Sequence, residues 1–464
     1  MSSQFFEGAA GTGKTFNLIA SLEGLVAAGH LEKHQKVLAL TFMHGSRARL
    51  DGALSVLESL EKRFDCTTFD AFAGCIVNRW RDLLSAVRQR EDISTGHNDY
   101  EQVCFEAAEL LQDAGVQRWV SLTYPVILVD EAQDLSPARL AMMRGLSLSS
   151  ILLAAADEYQ HLDENHNGNE SVQWLSNNMR TTSLTQAMRT NDQGLLMVAN
   201  ALREGQSIKD LLQERGKKLK YYSVGEFKLV PVARVPLMSW NVSFALHMAS
   251  GIGSTAVLAL GLDNISQQVI ERVQTREEKT KQASFGPYPS LRFQRKIERL
   301  VEECWTSLDL HEENISIDDA LLSCSAIEDQ SIRKNVCDWI GRRKRIAGQS
   351  QLSTDELKSA INNAFQNKKR FQRSNKIVRQ AMTIHQAKNR EFDNVIVLWT
   401  FAFSDASDEY KRRLLYNAIT RAKRRCTVIV MGADRINAAP FFSPVDNGTE
   451  KSYSGEYYDK IGGG

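Results

Sequence analysis

The sequence predicts an α/β protein with two parallel sheets, each flanked by helices and each interrupted by a mainly helical insertion. Three observations carry this expectation. Short apolar runs alternate with amphipathic helical patterns along most of the chain. In two places the strand signal stops, gives way to helical periodicity alone, and then resumes. The first apolar run leads directly into a glycine-rich turn and a helix, an arrangement that belongs to parallel sheets.

Taken in order, the expected strands are residues 4–7, 37–41, 126–130, 151–156, 182–184, 255–260, 377–383, 394–399 and 426–431, with helices after most of them. Each is a short run of three to seven residues, most of them rich in Val, Leu, Ile or Ala and bounded by polar or turn residues, too short for a buried helix. A helix is expected over 16–28 behind the first strand, and another over 414–425. The spacing places the first sheet in residues 1–181, with a small helical insertion at about 71–124. The second sheet falls in 182–280 and 376–434, around a basic helical insertion at 281–375, and a flexible tail rich in Ser, Asn, Gly and Tyr occupies 435–464. Between Gly341 and Arg379 there are eleven Lys or Arg against only Asp355 and Glu356, which suits either phosphate contacts or a solvated helical face.

The chemistry begins at Gly8-Ala9-Ala10-Gly11-Thr12-Gly13-Lys14-Thr15. This satisfies the P-loop pattern, and it lies after a strand and at the opening of a helix, as the pattern requires. Its glycines let backbone N–H groups close around phosphate oxygens, and the helix N-terminus favours the anion. Lys14 is the expected cation for the β- and γ-phosphates, and Thr15 offers a hydroxyl to Mg²⁺, so ATP with Mg²⁺ is the expected ligand pair. A second apolar run ends in Asp130-Glu131-Ala132-Gln133-Asp134. A carboxylate at the end of a strand adjoining the P-loop strand can hold Mg²⁺ while its neighbour polarises the attacking water, so Asp130 is read as the metal ligand and Glu131 as the base. Alone, such a cluster is more often a solvated helix cap. Its position behind a P-loop is what gives it a catalytic reading.

With further boxes in the same order, the chain resembles the superfamily 1 helicases, particularly the UvrD/Rep-like group (superfamily 1A). Thr41-Phe42 resembles motif Ia, and Thr67-Thr68-Phe69-Asp70 resembles the segment that touches single-stranded DNA. Asp157-Glu158-Tyr159-Gln160 resembles motif III, whose glutamine senses the γ-phosphate, and Gln186-Ala187-Met188-Arg189 resembles motif IV. Residues Thr383 to Phe392 resemble motif V, where Glu391 would meet the ribose and His385 with Lys388 would couple ATP to DNA. Tyr416-Asn417-Ala418-Ile419-Thr420-Arg421-Ala422 resembles motif VI. The resemblance implies two RecA-like P-loop NTPase lobes with ATP between them, Arg189 and Arg421 as cations for the charge that develops on the γ-phosphate, and Thr41, Phe42, Thr68, Phe69, His385 and Lys388 toward DNA. It implies ATP-driven movement on single-stranded or tailed duplex DNA, 3′→5′ in the UvrD-like branch. A RecD-like 5′→3′ motor stays open. So does a regulatory subunit that senses ATP and DNA for a partner nuclease, as in compact UvrD-like proteins of antiviral defence systems such as Gabija.

The chain also departs from the family. Gln4 is not placed to read adenine, residues 161–167 lack the aromatics that continue motif III, Asn389 stands where the family has Gly, and Asp70 stands where His is common. A net charge of +1 gives no global pull toward nucleic acid or membrane, so any basic surface must be local. Seven cysteines show no metal-ligand spacing and are odd in number, which suits reduced thiols in a cytoplasm. No stretch approaches the ~18 apolar residues of a membrane span.

Overall fold

A computed structural model of the chain describes residues 2–42, 44–88, 100–162, 168–216, 220–293, 297–310, 314–372 and 378–442. The expected tail beyond residue 442 therefore lies outside the described residues. The chain forms two compact units. The first is Met1–Val232 with Phe403–Thr420 and Val430–Gly464, and the second is Ala233–Ala402 with Arg421–Ile429.

The parallel sheet of the first unit has six strands: β1 Gln4–Gly8, β2 Val37–Thr41, β3 Phe64–Thr68, β4 Val126–Val129, β5 Ile151–Ala156 and β6 Arg180–Leu184. Their order is β3-β2-β4-β5-β1-β6, and every pairing is parallel. A parallel sheet needs both faces covered, and the alternation of side chains supplies two separate cores. Phe5, Leu38, Leu40, Ile127, Val129, Leu152 and Ala154 point into one cluster. Their neighbours Phe6, Val37, Ala39, Val126, Leu128, Leu153 and Ala155 point into the other. A slip of one residue would exchange the two sets, so the register is fixed by what each face buries. Helix Lys14–Ala27 closes the second cluster with Leu18, Leu22 and Leu25, each contributing roughly 1.5–3 kcal/mol on burial. Helices Phe69–Arg79, Tyr100–Leu110, Ala114–Thr123 and Pro137–Ser147 close the first.

Three strand features differ from the sequence expectation. The strand carrying Asp130 does not adjoin the P-loop strand, because β5 lies between β4 and β1. Strand β3 went unread because Phe64-Asp65-Cys66-Thr67-Thr68 sits at the sheet edge, half buried, and carries no apolar run. The antiparallel ladder β7 Gln213–Arg215, β8 Tyr221–Val224 and β9 Phe227–Val232 was missed for a similar reason, since β7 is exposed throughout and wholly polar.

In the second unit β10 Thr255–Ala259 is followed by a long insertion. The insertion contains helices Asn264–Thr275, Ile297–Leu308, Ile317–Ser323, Gln330–Ala347 and Thr354–Gln372. Two short antiparallel pairs accompany them: β11 Glu278–Lys279 with β12 Ser284–Phe285, and β13 Asn314–Ser316 with β14 Gln351–Ser353. The last four helices bury a core of their own that includes Val301, Leu308, Ile332, Val336, Ile340, Leu357 and Ile361. The sheet resumes with β15 Arg379–Thr383, β16 Phe392–Trp399 and β17 from Ala422, in the order β15-β10-β16-β17, with β10 parallel to β15 and β16. The helix expected over 414–425 is instead Asp408–Ile419, capped at Thr420, so Arg421 stands at the start of a strand. The architecture is α/β, with a six-stranded parallel sheet in the first unit and a further sheet in the second, consistent with two RecA-like lobes. No described helix is long and apolar enough to cross a membrane.

Candidate active site

The C-terminal ends of β1, β4 and β5 converge on one cluster in the first unit. β1 ends at Gly8, where an added Cβ would lie 2.6 Å from the Thr12 hydroxyl and 2.8 Å from the Leu184 carbonyl oxygen, so only glycine fits the exit. Gly13 then takes the left-handed conformation, at φ 80°, immediately before the helix that begins with Lys14. Lys14 is buried, and its Nζ donates to the carbonyl oxygens of Gly8 at 2.9 Å and Ala9 at 3.0 Å. Burial draws its pKa below the ordinary lysine range, against the opposing pull of Asp157, Glu131 and Asp130.

Thr15 Oγ1 donates to Asp130 Oδ2 at 2.9 Å, joining the first residue after the P-loop lysine to the end of β4. The Asp130 carboxyl is raised by burial first and by the neighbouring Glu131 second. Glu131 is a non-glycine residue at φ 60°, a conformation that is costly for an L side chain and is seen more often at functional sites. Its Oε2 accepts from Gln133 Nε2 at 2.9 Å, which leaves Oε1 toward Arg49, 3.7 Å away. Arg49, on helix His44–Ser55, also lies 3.3 Å from Asp130 Oδ2.

Beyond β5, Asp157 gathers a dense set of donors. Arg203 Nη1 donates to its Oδ1 at 2.6 Å, while Tyr416 Oη and Gln160 Nε2 each donate to its Oδ2 at 2.9 Å. Lys14 Nζ stands 3.9 Å from that same Oδ2. The Asp157 backbone N–H donates to Gln133 Oε1 at 3.0 Å, so Gln133 links the Glu131 carboxylate to the start of the Gln160 turn. Tyr416 is almost wholly buried and in turn accepts from the P-loop amide of Ala10 at 2.8 Å. Burial, followed by the Asp157 charge, pushes the Tyr416 phenol up, so it serves as a hydroxyl in both bonds. Arg189 approaches Gly11 closely, where an added Cβ would meet its Cβ at 2.6 Å, and its Nη1 donates to the Thr420 carbonyl at 2.7 Å.

Seven of the residues singled out by sequence thus stand near one another in one unit: Gly11, Gly13, Lys14, Thr15, Asp130, Glu131 and Gln160, with Arg189 beside the loop. Glu391 and Arg421 belong to the second unit. There Glu391 pairs with Lys423 at 3.0 Å, and the Arg421 carbonyl accepts from Phe392 N–H at 2.9 Å. His385, exposed, lies within the short helix Ile384–Ala387 and Lys388, half buried, caps its end; the helix starts with a capping box between Thr383 and Gln386.

The expected DNA contacts of the first unit are placed differently from the expectation. Phe69 is wholly buried against Phe42, with ring centroids 5.4 Å apart, and presents no ring face to a base in this conformation. Thr68 caps helix Phe69–Arg79 by accepting from Ala71 N–H, and Thr41 is fully buried. Only Phe42 of this set keeps a partly open ring. Asp70 is bound by Arg139 Nη2 at 2.6 Å, and Arg139 Nη1 also donates to Glu101. In the basic insertion Lys344 pairs with Asp318, Arg343 with Glu356, Lys358 with Glu302 and Lys368 with Asp329, which favours a salt-bridged helical face there. The side chains of Lys369 and Arg370 lie outside the described residues.

Sequence reasoning passed over Arg49, Arg203 and the structural roles of Gln133 and Tyr416. The last two sit inside the quoted boxes and were legible as residue types. Arg49 and Arg203 lie on ordinary helices, and nothing in their local pattern separates them from solvated charges.

The donor set fits Mg²⁺. Thr15 Oγ1 and Asp130 Oδ2 are hard oxygens, and one carboxylate completed by phosphate and water is the usual way proteins hold this ion. Among the described residues no group of three or more His, Cys, Asp or Glu could hold a metal by itself.

Residues 380–429 match the UvrD-like helicase C-terminal domain. No curated protein matches the chain. The matched stretch supports a UvrD/Rep-like superfamily 1 helicase, and it contains Glu391 and Arg421.

Proposed function

We propose that this chain is an ATP-dependent DNA helicase or translocase of the UvrD-like type, hydrolysing ATP at the P-loop of the first unit and moving 3′→5′ along single-stranded DNA in the cytoplasm. The observation that carries the proposal is the Thr15 to Asp130 hydrogen bond, with Lys14 and Glu131 beside it, in a chain whose residues 380–429 match a UvrD-like helicase domain. In this reading the P-loop amides and Lys14 hold the phosphates, and Thr15 and Asp130 hold Mg²⁺, which would neutralise phosphate charge. Glu131, kept in place by Gln133, accepts a proton from the attacking water. Gln160 and Arg189 address the γ-phosphate from the same unit. Arg421 is proposed as the second arginine, Glu391 as a ribose contact, and His385, Lys388 and Phe42 as contacts to the strand.

A second reading is favoured by one specific set of observations. The Phe69 ring is buried, Asp70 is locked to Arg139, and His161, where the family continues toward base-stacking aromatics, is itself buried beside Asp134. So few open rings at these motif positions suit an ATP- and DNA-sensing regulator of a nuclease, as in antiviral defence, with little unwinding of its own. A strand-displacement assay on duplexes with 3′ or 5′ tails, alongside ATP turnover, separates the readings. Unwinding of 3′-tailed substrate supports the motor. Strand-stimulated turnover without unwinding supports the regulator, 5′-tail preference supports a RecD-like motor, and absence of turnover overturns all three.

A further inference from the structure

The Arg49 guanidinium lies against both carboxylates of the Asp130-Glu131 pair. Its Nη2 lies 3.3 Å from Asp130 Oδ2, the same oxygen that accepts the Thr15 hydroxyl, and 3.7 Å from Glu131 Oε1. Both carboxylates are nearly buried, at 3% and 8% exposure, and lie on consecutive residues, so each raises the cost of charging the other. Lys14 is engaged elsewhere, on the Gly8 and Ala9 carbonyls. Arg49 therefore places positive charge directly beside the pair, with Lys14 adding to it from further off. Its side chain is about one-third exposed, at 36%, so it can leave toward solvent without unpacking a core.

We propose that Arg49 is a built-in competitor of the divalent cation, a residue that sets how much Mg²⁺ the site requires. A guanidinium donating to Asp130 Oδ2 uses the lone pairs that Mg²⁺ must take at about 2.1 Å. Two cations sharing one carboxylate oxygen repel, so binding of the metal and withdrawal of Arg49 are one event. The bare ion gains only the two carboxylates and the Thr15 hydroxyl when it displaces Arg49. The ion arriving with a nucleotide brings phosphate oxygens as well. Arg49 thereby keeps the pair of carboxylates from taking metal alone and favours entry of the metal as its nucleotide complex.

The inference rests on the hydrolase reading, and the test keeps the two apart. Mn²⁺ is titrated into nucleotide-free wild type, Arg49→Gln and Arg49→Lys, with free Mn²⁺ followed by electron paramagnetic resonance, and the Mg²⁺ dependence of ATP turnover is measured in parallel. Arg49→Gln is expected to bind Mn²⁺ about three- to ten-fold more tightly without nucleotide, the size of a partly exposed charge pair, and to lower the half-saturating Mg²⁺ in step. Arg49→Lys, which keeps the charge without the planar fork, should fall between the two. Mn²⁺ affinity no tighter in Arg49→Gln than in wild type overturns the proposal. So does a collapse of turnover at saturating Mg²⁺ with unchanged Mn²⁺ affinity, which would make Arg49 a phosphate ligand. If Arg49→Gln fails to fold, the Arg49→Lys comparison decides alone. Wild-type protein that turns over no ATP at any Mg²⁺ concentration overturns the hydrolase reading and leaves the Mn²⁺ comparison standing.

Discussion

Asp157 shows how one buried carboxylate can connect several pieces of chemistry. It accepts from Arg203, Tyr416 and Gln160 and stands 3.9 Å from Lys14, so its charge is compensated on every side. Tyr416 extends this connection to the Ala10 amide, and the ring keeps its place by edge-on packing against Tyr159, with centroids 5.0 Å apart. In Tyr416→Phe the ring stays while Ala10 N–H and Asp157 Oδ2 each lose a partner. Stability should fall by about 1–3 kcal/mol, and hydrogen exchange at the P-loop amides should quicken. Unchanged exchange in that variant would mean the phenol does not hold the loop in solution. Glu131 gives a complementary expectation. Glu131→Gln keeps Thr15 and Asp130 for the metal, so nucleotide binding should persist while turnover drops by ~10²-fold or more, as expected for loss of a general base. Equilibrium nucleotide binding beside steady-state turnover checks this, and a collapse of affinity would assign the metal to Glu131 instead.

At the scale of elements, most of the strands that were legible are largely buried, although Arg180–Leu184 was read in part while largely exposed. Val126–Val129 and Ile151–Ala156 read as apolar runs because no position faces water, whereas β3 and the β7 to β9 ladder alternate or lie open. The Gly8–Thr15 pattern was legible because it sets residue types at a fixed spacing. The placement of Phe69 in the core was not, since a motif position says which residue is present and not which way its ring turns. The turn after the Ile384–Ala387 helix is instructive. Asn389, which stands where the family has glycine, sits at φ 63°, and asparagine is among the few L residues that tolerate this region. The departure therefore preserves the backbone that the glycine would give. Asn389→Gly should leave the thermal unfolding midpoint nearly unchanged, while Asn389→Ala should destabilise by ~1 kcal/mol. Equal midpoints for the two variants would show that backbone conformation does not select the residue.

On the scale of the whole molecule, the residues proposed for one reaction are distributed over two units. Lys14, Asp130, Glu131, Gln160 and Arg189 belong to the first, and Arg421 to the second. If Arg421 serves the transition state under strand binding, Arg421→Ala should abolish DNA-stimulated turnover while leaving nucleotide affinity within a few-fold and basal turnover less affected. Titration of single-stranded DNA against turnover is the measurement, and stimulation that survives at the wild-type level would remove Arg421 from the mechanism. The first unit is also discontinuous in sequence, and this bears on how the protein is made. Tyr416 lies 259 residues beyond Asp157 and 406 beyond Ala10. At a synthesis rate of about 5–20 residues per second, the ribosome delivers the phenol on the order of ten to fifty seconds after the carboxylate it must meet. The nascent P-loop sheet must therefore wait, with Asp157 lacking its phenol and the Ala10 amide without its acceptor, until Tyr416 has been added to the chain.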